Sequence, residues 1–119
     1  MFKVGIIGAG WIAAKMAAAL APLKDYCVYA IASRSQQKAD AFAAEWGVEK
    51  AYGSYEELVD DPQVDLVYVA TPHSHHYDHA MLAVSRHKAV LVEKAFTANA
   101  RQAEALLAAA RREGVFVTE

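Results

Sequence analysis

Two glycines and an alanine occupy fixed places after the first apolar run, which reads FKVGIIGAGWIAA over residues 2–14. Gly8, Gly10 and Ala13 match a G-x-G-x-x-G/A pattern. The first glycine permits a sharp turn, the second lets backbone approach a pyrophosphate, and the small third residue keeps the next helix near the sheet. Free N–H groups of the first helical turn then favour phosphate. Because the pattern joins a strand-like run to a helix-like run, it predicts a dinucleotide-binding turn rather than a purely structural one.

The end of the second predicted strand carries basic and hydroxyl side chains where an acid is often found. NAD-preferring domains place Asp or Glu about 20 residues past the glycines, to hold the ribose hydroxyls. Here residues 32–35 read ASRS. Arg34 can offer a planar pair of donors to a 2′-phosphate, with Ser33 and Ser35 as further donors and Lys38 nearby. The segment favours NADP over NAD, although ordinary solvated charges would also explain the two cations.

Four histidines lie in the run TPHSHHYDH, residues 71–79. His75 and His79 share one helix face at a spacing that can bind zinc. No cysteine and no H-E-x-x-H pattern accompanies them. We therefore predict no metal site, and expect polar residues at the start of a surface helix, some of them facing the ligand crevice.

The pair Glu93 and Lys94 follows another apolar run, residues 88–92. Open α/β sheets bind their ligands beyond the carboxyl ends of the strands. There Lys94 can bond a substrate hydroxyl or the nicotinamide ribose and assist proton transfer, while Glu93 orients Lys94 or contacts ribose. On residue types alone, an exposed structural ion pair is an equally good interpretation.

Apolar runs alternate with helix-like segments along the whole chain. Strands are predicted at residues 3–7, 28–32, 50–52, 65–70, 88–92 and 115–118. Helices are predicted at residues 11–21, 35–46, 54–61, 74–86 and 98–112. This alternation predicts an α/β domain with a doubly wound, parallel six-stranded sheet, the Rossmann fold, in strand order 3-2-1-4-5-6.

Bulk properties narrow the class of protein. A chain of 119 residues predicts one domain, a dinucleotide-binding domain over residues 1–119. The net charge of −2 gives no reason to expect nucleic acid or an anionic membrane as a partner. Cys27 is the only cysteine, which excludes an intrachain disulfide and favours a reducing compartment. Without a leader pattern or a membrane-length apolar run, we expect a soluble cytoplasmic protein.

Taken together, these motifs resemble the N-terminal half of the Gfo/Idh/MocA oxidoreductase family. The resemblance covers nearly the whole chain and rests on VGIIGAGWIA, ASRS, KAYGSYEELVDDPQVDLVYVATP with His76 after it, AVLVEKAF and VFVTE. It is closest to the sugar and dihydrodiol dehydrogenase branch. The resemblance implies hydride exchange between NAD(P) and a carbinol or carbonyl carbon of a sugar, inositol or related diol.

The resemblance also implies roles for individual residues. Those assigned to the cofactor, from the pyrophosphate through the adenosine ribose and the crevice wall to the nicotinamide ribose, are Gly8, Gly10, Trp11, Ile12, Ser33, Arg34, Ala70, Thr71, Pro72, His76 and Glu93. Lys94 matches the lysine of the family's E-K-P motif, which assists at the substrate hydroxyl. It is the predicted catalytic residue.

Two positions depart from the family pattern. Ala95 replaces the proline of E-K-P, which removes a backbone constraint on the lysine. His87 stands where a helix-ending glycine is common, so it must adopt the left-handed conformation or strain the helix end.

The family's second domain, with the substrate pocket, a catalytic histidine and usually the oligomer interface, has no counterpart in these residues. We therefore expect this chain to bind cofactor with little or no turnover by itself, and to self-associate through uncovered apolar surface. A non-catalytic nucleotide-binding or sensor module is the alternative function.

Overall fold

Six strands form a single parallel sheet in the computed structural model, which describes all residues from 1 to 119. The strands are β1 (Phe2–Ile7), β2 (Tyr26–Ala32), β3 (Lys50–Tyr52), β4 (Leu66–Val69), β5 (Ala89–Val92) and β6 (Val117–Thr118). The helices are α1 (Trp11–Leu20), α2 (Gln36–Trp46), α3 (Tyr55–Val59), α4 (His76–Ser85) and α5 (Ala100–Glu113). The sheet order is β3-β2-β1-β4-β5-β6, so the predicted Rossmann fold and strand order are confirmed.

Each face of the sheet carries its own apolar core. On one face α1 and α2 cover the sheet, and Ile6, Ala13 and Phe42 are buried there. On the other face α3, α4 and α5 pack over a larger cluster that includes Ile7 and Leu106. Helices on both faces explain why the strands read as nearly continuous apolar runs rather than alternating ones.

Side-chain caps and a left-handed glycine set several helix ends. The Ser35 hydroxyl accepts a hydrogen bond from the Lys38 N–H at 3.2 Å and begins α2. The Ser54 hydroxyl accepts from the Glu57 N–H at 3.3 Å and begins α3. Gly47 ends α2 with a φ of +69°. These caps satisfy backbone groups that helix geometry leaves without partners.

Several element boundaries differ from the prediction, each for a local reason. β2 starts at Tyr26 because Phe2 and Tyr26 pair in register, with ring centroids 5.7 Å apart. α5 starts at Ala100 because the Asn99 side chain accepts from the Gln102 N–H at 2.9 Å and caps the helix.

The helix predicted over residues 74–86 is divided. It opens with a 3₁₀ turn, His73–His75, whose last N–H donates to the Pro72 carbonyl oxygen at 2.9 Å. The α4 helix proper then runs over His76–Ser85. The segment after α4 places His87 at a φ of +59°, the left-handed conformation that this position was expected to need. His87 therefore adopts the backbone conformation that a glycine usually provides at this position.

A buried carboxylate ties the segment between α3 and β4 to the sheet. Asp61 accepts hydrogen bonds from the Tyr52 hydroxyl at 2.7 Å and the Tyr29 hydroxyl at 3.0 Å. It also accepts from the Gln63 N–H at 2.9 Å. Burial by itself raises the pKa of this carboxyl group, but the three hydrogen bonds and the charge of Lys88 outweigh burial and lower the pKa below the ordinary value. The Asp61 side chain is therefore an ionised carboxylate in the folded protein.

We predict that Asp61→Asn lowers the free energy of unfolding at pH 7 by about 1.5–3 kcal/mol, the range for hydrogen bonds to a charged group. A carboxyl group with a lowered folded-state pKa stabilises above its unfolded-state pKa, and this stabilisation is lost as the pH falls through the folded-state value. The difference in free energy of unfolding between the unchanged protein and Asp61→Asn, which we call the deficit, should therefore shrink as the pH falls from 5 to 2. Urea unfolding at a series of pH values measures it.

The matched control is Asp60→Asn, which removes an exposed carboxylate whose partner is Arg86 at 2.6 Å. That pair should contribute less than about 1 kcal/mol, because surface ion pairs are weak. A deficit of Asp61→Asn that is equal at pH 7 and pH 2 would contradict the assignment.

Candidate functional site

The turn after β1 depends on a residue without a side chain. Gly8 has a φ of +102°. A Cβ atom added to it would lie 3.0 Å from the Thr71 methyl and 3.1 Å from the Ala70 carbonyl carbon and oxygen. The first glycine is thus required by the chain's own packing, and it lets the turn lie directly against the end of β4.

Gly10 has the opposite environment. Its φ of −93° suits any residue, and an added Cβ would meet no atom of the chain within 4 Å. The space beside Gly10 opens into a cavity, so a side chain there would occupy volume that the fold leaves open to a ligand. This is the close-approach position that a pyrophosphate needs.

The start of α1 offers an electropositive surface to that cavity. Gly10 is the N-cap, and the N–H groups of the first helical turn have no carbonyl partner within the helix. No acidic residue lies in this first turn to occupy them. Trp11 and Ile12 both line the cavity, and Trp11 is 68% exposed. The arrangement suits an anionic group.

The end of β2 brings hydroxyl and basic side chains to the same cavity. The buried Ser33 hydroxyl accepts from the Ser35 N–H at 3.2 Å, which leaves its own proton free to donate. Arg34 and Lys38 are exposed and line the cavity. The nearest acid along the chain, Asp40, accepts from the Gln36 side-chain amide at 2.9 Å and does not line the cavity. This end of the cavity is therefore cationic.

The end of β4 forms the opposite wall. Ala70, Thr71 and Pro72 line the cavity in sequence. The Ala70 N–H donates to the Ile7 carbonyl oxygen at 2.9 Å and continues the β1–β4 ladder up to the glycine turn. The Thr71 hydroxyl is paired with His79 Nδ1 at 2.8 Å, so it is held by α4.

His76 is fully buried and links two of the loops that shape the cavity. Its Nε2 lies 2.8 Å from the Thr71 carbonyl oxygen, and its Nδ1 lies 2.6 Å from the Ala95 carbonyl oxygen. The loop after β4 and the loop after β5 are therefore tied through one imidazole ring. The sequence analysis placed His76 in the crevice but did not predict that it links the two loops. Its hydrogen-bond partners are backbone atoms, which residue types do not reveal.

Glu93 and Lys94 do not pair with each other. The Glu93 carboxylate instead accepts a hydrogen bond from the Tyr68 hydroxyl. The alternative interpretation from the sequence, an exposed ion pair between Glu93 and Lys94, is therefore wrong. Burial raises the pKa of Tyr68, and the neighbouring carboxylate raises it further, so the tyrosine remains a donor. Lys94 is exposed, lines the cavity and has no hydrogen-bond or ion-pair partner in the chain. The Lys94–Ala95 peptide bond is cis.

One cavity of about 900 Å³ joins these elements. It is lined by every residue predicted from the sequence, namely Gly8, Gly10, Trp11, Ile12, Ser33, Arg34, Lys38, Ala70, Thr71, Pro72, His76, Glu93 and Lys94. The prediction missed Ala9, Tyr55 and His73. Tyr55 lies three residues after the end of β3, which places it near the carboxyl edge of the sheet but does not by itself direct it toward the cavity.

The remaining histidines stack rather than converge on a point. The His75 and His79 rings are nearly parallel with centroids 5.6 Å apart. No group of three or more His, Cys, Asp or Glu side chains is arranged to hold a metal ion.

No helix combines the length and apolar character that crossing a membrane requires.

Comparisons with known proteins agree with this geometry. Residues 2–119 match the Gfo/Idh/MocA family, described as an oxidoreductase family with an NAD-binding Rossmann fold. Trans-1,2-dihydrobenzene-1,2-diol dehydrogenase of Mus musculus is 41% identical over 117 residues, 97% of this chain and 35% of that protein. D-xylose 1-dehydrogenase (NADP(+)) of Hypocrea jecorina is 57% identical over 70 residues, 59% of this chain and 18% of that protein.

Solved structures show the same likeness. The 3-ketoreductase KijD10 of Actinomadura kijaniata, crystallised with TDP-benzene and NADP, superposes with a TM-score of 0.91 at 35% identity, covering 98% of this chain and 37% of that chain. An NAD binding oxidoreductase from Klebsiella pneumoniae superposes with a TM-score of 0.85 at 40% identity, covering 98% and 33%. The chain spans about a third of the length of these relatives. Fold, cavity and family match agree: the chain belongs to the Gfo/Idh/MocA oxidoreductases, as an NAD(P)-binding Rossmann domain.

Proposed function

We propose that this chain holds NADP, in preference to NAD, across the cavity between β1, β2 and β4. Its diphosphate lies on the glycine turn and the start of α1, and its 2′-phosphate lies against Arg34 and Lys38. The chain then serves as the cofactor-binding part of a longer oxidoreductase. A relative named as NADP-dependent and another crystallised with NADP support this preference.

The observation that carries the proposal is the charge at the end of β2. Arg34 and Lys38 line the cavity with no carboxylate beside them, and the Ser33 and Ser35 hydroxyl protons remain free to donate. An acid at this place would repel a 2′-phosphate, whereas a guanidinium can bind two of its oxygens at once. The open space beside Gly10 gives the diphosphate room to meet the first-turn N–H groups.

The proposed reaction moves a hydride between the cofactor and a carbinol or carbonyl carbon of a sugar, inositol or related diol. When bound, the nicotinamide ring supplies or accepts that hydride. Lys94 would bond the reacting oxygen and assist its proton transfer, since it projects at the cavity without a partner in the chain. Glu93, oriented by Tyr68, would meet the nicotinamide ribose.

The remaining partners follow from composition and surface. A small-molecule substrate is favoured, because the relatives include a diol dehydrogenase and a xylose dehydrogenase. The net charge of −2 supports neither nucleic acid nor an anionic membrane as a partner. Exposed Phe116 (66%) and Leu107 (39%) support some self-association. The single Cys27 supports a reducing, cytoplasmic location.

We predict that Arg34→Ala weakens NADPH binding by roughly 10- to 100-fold, the loss expected for charge-assisted hydrogen bonds. Binding of NADH should change little, because that cofactor has no 2′-phosphate. Isothermal titration with both cofactors measures this. Arg112→Ala, at the far end of α5 and outside the cavity, is the matched control. Tighter binding of NADH than NADPH by the unchanged protein would contradict the proposal.

For the chemical step, Lys94→Ala in the intact protein should lower kcat by about 100-fold or more, the usual contribution of a positioned acid or base. NADPH affinity should stay within about threefold, because Lys94 bonds the substrate oxygen rather than the phosphates. Lys94→Arg keeps the charge but donates from a group that does not give up its proton, and should recover little activity. Steady-state kinetics and a NADPH titration separate the two effects.

The same experiment decides the alternative function. Undiminished turnover of Lys94→Ala would exclude the lysine from the reaction. Tight NADPH binding with no turnover of any sugar or diol by the intact protein would favour a non-catalytic nucleotide sensor.

A further inference from the structure

We propose that His79, which does not line the cavity, is a positioning residue that sets the shape of the cofactor wall by holding Thr71 and Tyr55. The inference rests on the proposed function, since it concerns binding of NADP in that cavity. It adds a residue that neither the sequence motifs nor the family resemblance assigned.

The first contact fixes the side-chain rotamer of Thr71. Its hydroxyl is 2.8 Å from His79 Nδ1, so the hydroxyl points toward α4 and away from the crevice. With the hydroxyl held there, the Thr71 methyl lies beside the turn, 3.0 Å from the place where a Cβ of Gly8 would stand. Without the bond to His79, the Thr71 side chain could rotate. Its hydroxyl or its methyl would then enter the space that the diphosphate needs.

The second contact supports the wall on the adjoining element. The His79 ring packs on Tyr55, with ring centroids 4.4 Å apart and planes tilted by 58°. Tyr55 belongs to α3 and lines the cavity, whereas Thr71 follows β4. One half-buried side chain of α4 thus braces two cavity-lining residues that come from separate parts of the fold.

The local environment keeps the ring in the form that can accept from Thr71. Burial lowers the pKa of His79 below the ordinary value, and the neighbouring His75 lowers it further. A neutral ring has one bare nitrogen, so Nδ1 can accept the Thr71 hydroxyl proton. The titratable groups that face His79 are His75 in the preceding 3₁₀ turn, His76 and Asp78 on α4, and Tyr55 and Glu56 on α3.

Substitutions can separate the hydrogen bond from the ring contact. His79→Phe keeps an aromatic ring against Tyr55 but removes Nδ1, which leaves the Thr71 hydroxyl without its partner. His79→Asn places an amide oxygen near the former Nδ1 and keeps an acceptor. His79→Phe combined with Thr71→Val removes both polar partners, and paired removal is tolerated much better than removal of one.

The test is a fluorescence titration of NADPH into the intact protein and these variants at pH 7.5, with melting temperatures recorded in parallel. His79→Phe should weaken NADPH binding by roughly 3- to 10-fold, because a released Thr71 side chain must be ordered again when the cofactor binds. His79→Asn keeps the acceptor for Thr71 but loses the ring contact with Tyr55, so its NADPH affinity should lie between those of His79→Phe and the unchanged protein. Because Thr71 itself lines the cavity, the double variant is compared by melting temperature, and it should regain most of the stability that His79→Phe loses. If His79→Phe does not fold, His79→Leu takes its place.

Three results overturn the inference. The first is that His79→Phe binds NADPH as tightly as the unchanged protein. The second is that His79→Asn binds NADPH as weakly as His79→Phe, and the third is that the double variant melts at a lower temperature than His79→Phe. In each case the unchanged protein still binds NADPH and the proposed function stands. Absence of NADPH binding by the unchanged protein overturns the proposed function and this inference together.

Discussion

The close contact between the turn at Gly8 and the end of β4 is the constraint on which the rest of the site depends. A φ of +102° lets the chain leave β1 sharply, and the missing Cβ lets the turn lie against Ala70 and Thr71. Any side chain at Gly8 would push β1 and β4 apart at their carboxyl ends. Since the sheet order reverses between these two strands, this contact forms the floor of the crevice.

From that floor the site divides into a cationic half and a half built on paired polar groups. The start of α1 and the end of β2 supply N–H groups, hydroxyls and two unpaired cations, all suited to phosphate. Across the sheet, Tyr68 holds Glu93 and His76 joins the loops after β4 and β5. Lys94 remains free at the edge between them. The first half suits an anion by charge alone, whereas the side chains of the second half are held in place by hydrogen bonds.

Much of this could be predicted from the sequence because its signals are local. Strand-like runs broken by glycines and capped helices fix the order of the elements, and right-handed crossovers then fix the order of the strands. Residues directly after parallel strands must meet at one edge of the sheet, which is why ASRS, ATP and EK all reach one cavity.

What could not be predicted depends on partners far apart in the chain. The bond from Tyr68 to Glu93 joins residues 25 positions apart, and His76 reaches the Ala95 carbonyl oxygen 19 positions away. Neither pairing has a spacing signature, so the sequence left Glu93 open between orienting Lys94 and contacting ribose, and did not indicate Tyr68. Tyr55 was missed for the same reason, because only the packing of α3 on α4 turns it toward the cavity.

Gly10→Val tests the central claim most directly, because the chain itself gives Gly10 no reason to be glycine. No atom lies within 4 Å of the added Cβ and the φ of −93° suits valine, so the melting temperature should fall only slightly. NADPH affinity, measured by isothermal titration, should fall by roughly 100-fold or more, because the branched side chain fills the space where phosphate meets the first-turn N–H groups. An unchanged dissociation constant would show that the diphosphate does not bind at this turn, and would contradict the account.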